Sequence, residues 1–269
     1  MTRRGIEILA LLLIALGLGG CTLARVSRAW LQSREDFKAC TPDPRIRCEA
    51  GSEALAARIA PLLPGAMEAI ERAQYAPFAG AVVIYVHASR ESFARYSGAP
   101  ESAAGAVSLG VLNLSPKLLV TPERSEGILR HELSHLHLLL AMGSMLDWAR
   151  LPAWFHEGLA TYVSNGGGAE TVPPEEAVRA LREGRRFVPD ASQWAVLPKN
   201  AASYGLQPHL FYREAALFIA YLHDTDAQAF EKLIAAIAAR QRLDTALAAA
   251  YGAPLPVLWA RFIDALPVL

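Results

Sequence analysis

The chain has 269 residues, is 53% hydrophobic, and balances 26 basic side chains against 26 acidic ones. That length and apolar content suffice for one sizeable packed domain or two small ones. Neutral charge without a basic stripe argues against a nucleic-acid partner, and pairs such as Arg185-Arg186 are too short to be more than solvated surface.

Residues 1–20 read as a leader. Arg3 and Arg4 precede an apolar run from Ile8 to Leu18, and small residues then lead to Cys21. Those are the charged, apolar and cleavage-like regions of a secretory signal. The stretch "LGGC" resembles the lipobox of bacterial lipoproteins, with a departure at Gly19. That resemblance implies that a lipidated Cys21 begins the mature chain. The alternative is an uncleaved anchor, since Ile8 to Ala24 carries no charge. The run is short for a span of about 20 apolar residues, so the lipoprotein is preferred. Either way the body is expected in the bacterial cell envelope, on the periplasmic side and attached to the membrane. Residues 21–50 read as a tether. Within it Cys40 and Cys48 flank a turn-rich loop with Pro42 and Pro44, and an even pair in an exported chain predicts a disulfide.

The domain proper is expected over 51–269. Leu55, Ile59, Leu62, Leu63, Met67 and Ile70 recur at helical spacing, interrupted by Pro61 and Pro64. "AVVIYVHA", Ala81 to Ala88, is a β-branched apolar run that predicts a buried strand. His87 at its end is read as a strand-end residue, not a ligand. "GAVSLGVLNLS", Gly105 to Ser115, predicts a strand or hairpin. A helix then opens with Thr121 as its cap, Pro122 at the first position and Glu123 and Glu126 in the first turn, and it stops at Gly143. A second helix starts near Pro152 and ends at the run Gly166 to Gly168. "PPEEAVRALREG" has a proline start and a glycine stop. From Pro208 onward the pattern is helical almost throughout. The expected fold class is α+β, with a small strand-containing N-terminal part and a mostly helical C-terminal part.

"HELSHLH" packs three of the chain's seven histidines into His131 to His137. On a helix, His131 and His135 lie one turn apart, about 40° round the axis, so their imidazoles can converge on one ion. Glu132 sits on the flank, placed to take a proton from metal-bound water. That is the physical content of HExxH on a helix. His137 lies about 200° round from His135 and is a bystander. Burying His131, Glu132 and His135 together without a counter-charge would be costly, and a metal partner accounts for the trio.

A catalytic zinc takes three protein ligands, and "WFHEGLATY" supplies a candidate in the following helix. HELSH followed by LPAWFHEGLATY resembles the gluzincin class of zinc metallopeptidases, most nearly the bacterial "peptidase MA-like" group with HExxH and then W-F-x-E-G-x-A. The resemblance implies a zincin-like fold and one zinc ion held by His131, His135 and Glu157. It makes Glu132 the general base. It has Gly158 and Ala160 permit close helix packing, and puts Thr161 in the place of a supporting residue where many gluzincins have Asp. His156 is the alternative ligand; neighbouring helical residues diverge by about 100°, so both cannot readily bind. "HLFYREAALFIAYL" looks like the group's later helix, which implies Tyr212 as the oxyanion-stabilising residue, with His209 on its face and Tyr204 a rival. By the same resemblance the segment Gly105 to Ser115 is the edge strand along which an extended peptide lies. The expected activity is hydrolysis of peptide bonds in a peptide or protein substrate. The alternatives are a non-catalytic binding or scaffold protein of the same fold and a hydrolase of a non-peptide cell-wall amide.

Overall fold

The computed structural model of the chain describes Arg25, residues 27–191 and residues 199–267. The leader and Cys21 lie outside the described residues. The strands are β1 (Lys38–Ala39), β2 (Ile46–Cys48), β3 (Ile84–Val86), β4 (Gly105–Ser108) and β5 (Val111–Leu114). The helices are α1 (Glu53–Ile59), α2 (Leu63–Ala73), α3 (Arg90–Ser97), α4 (Lys117–Val120), α5 (Ser125–Met142) and α6 (Met145–Arg150), then α7 (Ala153–Val163), α8 (Pro174–Arg182), α9 (Pro208–Thr225), α10 (Ala227–Ala238), α11 (Leu243–Tyr251) and α12 (Leu255–Ala265). The fold is α+β, with a small sheet in the N-terminal part and a mostly helical C-terminal part. The chain divides into two compact units, the described residues of Met1–Ala60 with Val83–Pro122, and of Pro61–Val82 with Glu123–Leu269.

The first unit holds a five-stranded sheet in the order β1-β2-β3-β5-β4. β2, β3 and β5 run parallel, and the outer strands β1 and β4 are antiparallel to their neighbours. Ile46, Cys48, Ile84, Val86, Leu112 and Leu114 are all buried, and α1 packs on β2 and β3 with Leu55 and Ile59. The strand expected over Ala81 to Ala88 is regular only over Ile84–Val86. The hairpin form of Gly105 to Ser115 is the one adopted. Leu109 (φ 54°) and Gly110 (φ 75°) both take positive φ in the two-residue turn, as a tight hairpin matched to strand twist requires.

The tether expected over 21–50 differs in its second half. The Cys40–Cys48 disulfide forms as expected, with a Cα–Cα distance of 5.8 Å. Cys40 follows β1 and Cys48 ends β2, with Lys38 pairing with Cys48 and Ile46 with Ile84. Buried Phe37 and Ile46 hold this segment to the unit. His87 is fully buried just past β3, with Nδ1 3.2 Å from Ser92 Oγ and Nε2 3.1 Å from Asn113 Oδ1. Burial pushes its pKa down to about 4, which suits a neutral ring at a strand end.

The second unit is helical. Pro61 separates α1 from α2, and Pro64 sits in the first turn of α2, where a missing N–H costs nothing. The expected start of the HExxH helix is displaced. Thr121 donates its hydroxyl to Lys117 O instead of capping, Pro122–Arg124 form a 3₁₀ turn, and α5 begins at Ser125. A 3₁₀ turn is a common way to tighten a helix end that has no side-chain cap. Gly143 ends α5 in the left-handed region, as its sequence position implies. The short helix α6, capped by Ser144 on Asp147 N, has no counterpart among the sequence expectations.

Behind the site lies an aromatic core. Trp154, Phe155, Phe187, Phe211, Phe218 and Phe230 are essentially fully buried. Each such ring stabilises the fold by roughly 2–3 kcal/mol relative to exposure. α7 and α9 pack most closely. A Cβ on Gly158 would stand 2.9 Å from both the carbonyl carbon and the oxygen of Ala215. Glycine at 158 is what allows that approach, and the approach sets where its neighbour Glu157 points.

Candidate metal centre

α5 and α7 carry the HExxH pair and the third ligand candidate, and both belong to the second unit. His131 Nε2 lies 3.1 Å from His135 Nε2, and Glu157 Oε2 lies 3.3 Å from the first and 3.5 Å from the second. Ligand atoms about 2.1 Å from one tetrahedral ion stand about 3.4 Å from each other. The three residues thus form a group able to hold a metal ion. Both histidines are buried, and Glu157 is nearly so.

The hydrogen bonding supports the fit. His131 Nδ1 lies 2.8 Å from Gly167 O. A carbonyl only accepts, so Nδ1 carries the proton and Nε2 of the neutral ring offers a lone pair. That lone pair faces a second imidazole nitrogen and a carboxylate oxygen. Such an arrangement is repulsive unless a cation or a proton sits at its centre. Burial alone would lower the His131 pKa, but the hydrogen bond and charge of Glu157 hold it above the ordinary value. Burial likewise opposes ionisation of Glu157, and the charge of His135 with the hydrogen bonds of His131 and His135 nevertheless keep it well below the usual carboxylate range. The cluster is therefore built to keep a negative carboxylate beside two imidazoles.

Among the residues expected at the site, the structure brings together His131, Glu132, His135, Glu157 and Tyr212. Glu132 is buried, 8% exposed, and its charge acts on both His131 and Tyr212. The Tyr212 ring lies 6.1 Å from that of His131. The Glu157 charge, then burial, then the Glu132 charge push its hydroxyl pKa upward, so it stays protonated and able to donate. His156 stands outside the group of converging ligand atoms. Its Nδ1 is 3.6 Å from Glu157 Oε1 and buried with no hydrogen-bond partner among the described residues. Its ring lies 5.0 Å from that of Trp148, and burial lowers its pKa to about 4. His137 is occupied elsewhere, 2.7 Å from Gln74 Oε1 and 2.8 Å from Ala76 O. His209 turns to Thr171, with Nδ1 2.7 Å from the hydroxyl, and Tyr204 stacks on Phe211. Thr161 is fully buried, and its hydroxyl has no partner among the described residues, so it does not brace Glu157 by a hydrogen bond.

The sequence reading missed the support of His131. α7 ends in a paired C-terminal motif, with Gly166 N bonded to Thr161 O and Asn165 N to Tyr162 O. Asn165 takes the left-handed conformation at φ 55°. The glycines that follow are not merely a helix stop. A Cβ on Gly167 would meet Gly127 O at 2.3 Å, and one on Gly168 (φ +82°) would meet His131 Cε1 at 2.7 Å. The loop is clamped from two sides. Arg213 donates to Val172 O (2.9 Å) and Ala169 O (3.1 Å), while Glu170 bridges Arg124 (2.6 Å) and Gly168 N (3.1 Å). The one signal of this in the sequence is three consecutive glycines, two residues past the helix that carries Glu157.

No family model matches the chain, and no curated protein matches it.

Proposed function

We propose that the chain is a zinc-dependent peptidase of the gluzincin kind, tethered to the bacterial cell envelope. The convergence of His131 Nε2, His135 Nε2 and Glu157 Oε2, all within 4.8 Å of one another, carries this reading. Two imidazoles and one carboxylate are a donor set suited to zinc, and three protein ligands leave a position open for substrate. The retained Glu132 beside them favours an enzyme over a scaffold, since holding a metal does not need it.

A bound zinc ion supplies Lewis acidity, polarising a carbonyl oxygen and acidifying a water. Glu132 accepts the proton of the attacking water and returns it to the leaving amine nitrogen. Tyr212, kept protonated by the carboxylates around it, donates a hydrogen bond to the oxygen that gains negative charge. Gly167 O fixes the His131 tautomer and so keeps Nε2 free to bind. The disulfide suits an oxidising compartment. Among the described residues no single helix is long and apolar enough to cross a membrane, so the tether reading rests on the leader sequence.

The test is metal content and cleavage of an unfolded protein substrate by the zinc-loaded chain. Stoichiometric zinc is expected in the wild type, lost in Glu157→Ala and retained in His156→Ala. Glu132→Gln is expected to keep its zinc and lose about 10²- to 10⁴-fold in turnover. A wild type that takes up no metal rules out the proposal. Stoichiometric zinc without any cleavage shifts the reading to the scaffold.

A further inference from the structure

A short helical turn covers Arg25 and residues 27–30, and it shows an unusual surface for its position. Ala29 points inward, 1% exposed, while Trp30 is 67% exposed and Leu31 83%. Arg25 and Arg28 are exposed beside them. The patch is fixed in place. Leu31 N and the Gln32 side chain both bond to Arg28 O at 3.1 Å. Three residues on, Arg34 donates to Asn113 Oδ1 (3.2 Å) and Tyr96 O (2.9 Å), and its guanidinium lies 4.3 Å over the Tyr85 ring. Phe37 is buried edge-on against Tyr85, His87 and Tyr96. Residues 29–37 are thus pinned to the first unit. Trp30 and Leu31 face solvent at the start of that held segment.

We propose that Trp30 and Leu31, flanked by Arg25 and Arg28, dock the first unit on the anionic lipid surface of the membrane that holds the leader. This rests on the tether reading above. In the lipoprotein reading the attachment point is Cys21, nine residues before Trp30, and in the anchor reading the uncharged run ends at Ala24, six residues before it. Nine residues span at most about 30 Å even when fully extended, so either attachment keeps the patch within reach of the interface. The chemistry matches that interface. Indole rings favour the headgroup level, a leucine adds apolar area below it, and each arginine near an anionic surface adds attraction. The shallow cleft beside the patch is lined by Arg25, Arg28, Arg95, Glu91 and Glu101, three positive groups against two negative, which leaves it one positive charge in excess.

The full chain is reconstituted in phosphatidylcholine vesicles with and without phosphatidylglycerol, each with plain or brominated acyl chains. Flotation with the vesicles reports the tether, and tryptophan quenching by bromine reports the docking. Trp30 is one of five tryptophans, so brominated chains are expected to remove about one-fifth of the wild-type emission. They are expected to remove none of the emission of Trp30→Phe. The loss should shrink in Leu31→Glu and without phosphatidylglycerol. A chain that floats but is quenched no more than Trp30→Phe overturns the docking and leaves the tether standing. Equal quenching in neutral vesicles overturns the anionic preference. A chain that does not float overturns both.

Discussion

His131 and Gly167 are joined by a 2.8 Å contact between an imidazole Nδ1 and a backbone carbonyl oxygen. This one bond selects the tautomer that leaves Nε2 facing His135 and Glu157. Its acceptor is backbone, so the loop conformation, not a side chain, decides whether the ligand is oriented. Gly168→Ala tests this. The new Cβ would stand 2.7 Å from His131 Cε1 at a φ that disfavours any side chain. Zinc affinity, measured by competition with a chelator, is expected to fall about 10- to 100-fold, the usual cost of disturbing an outer-sphere partner. An unchanged affinity would show that Gly167 O does not orient the ligand.

The clamp on that loop makes a second, separable claim. Arg213 and Glu170 hold the same few residues from different sides. Arg213→Met and Glu170→Gln are each expected to weaken zinc binding in the same direction as Gly168→Ala. Because they act on one loop, their effects should not add. A coupling of about 0.5–3 kcal/mol in the double-mutant cycle is expected. Strict additivity in zinc affinity would mean that the two residues act independently of each other and not through one shared loop.

Gly158→Ala probes the approach of α7 to α9. Its Cβ would press on the backbone of Ala215, which cannot rotate away as a side chain can. The helices must separate, and overpacking of this kind costs about 1–3 kcal/mol. Glu157 moves with them. The expected result is a lower melting temperature of the metal-free protein together with weaker zinc binding. Loss of stability with full zinc affinity would separate Glu157 placement from this contact.

Much of the site was legible in the sequence because helix geometry is local. Two histidines four apart on a helix must share a face, and the structure brings their Nε2 atoms to 3.1 Å. The same geometry turned His137 away, toward Gln74 and Ala76. The division into a small strand-containing N-terminal part and a mostly helical C-terminal part is also readable from the apolar patterns. What escaped depends on contacts far apart in the chain. Gly167 and His131 are 36 residues apart, and a carbonyl acceptor leaves no side-chain signature. The sequence extends the tether to residue 50 because Lys38–Ala39 and Ile46–Cys48 are too short for a strand pattern; β1 is a strand only through its pairing with β2, and β2 through its pairing with β3. Thr121 has the right chemistry for a cap, but its hydroxyl goes to Lys117 O, a choice that propensity does not encode.

Glu214 gives the chain a pH dependence independent of the metal. It is fully buried on α9, where Oε2 accepts from Phe187 N at 3.3 Å and Oε1 has no partner among the described residues. Burial pushes its pKa from 4.5 up to about 8; the Phe187 bond and the charges of Arg185 and Arg186 only partly oppose this. Below the unfolded value both states hold the proton, and the stability associated with the neutral carboxyl is fully present. As pH rises toward the folded value, the unfolded chain ionises while the folded one does not, so stability is lost at about 1.4 kcal/mol per unit. Above the folded value the loss levels off. Glu214→Gln keeps an acceptor for Phe187 N and removes the titration. The variant is expected to gain on the wild type steadily between about pH 5 and about pH 8, by a few kcal/mol in all. Parallel melting curves for wild type and variant across that range would mean that Glu214 is ionised in the folded protein, and that the charges of Arg185 and Arg186 reach it more strongly than their placement implies.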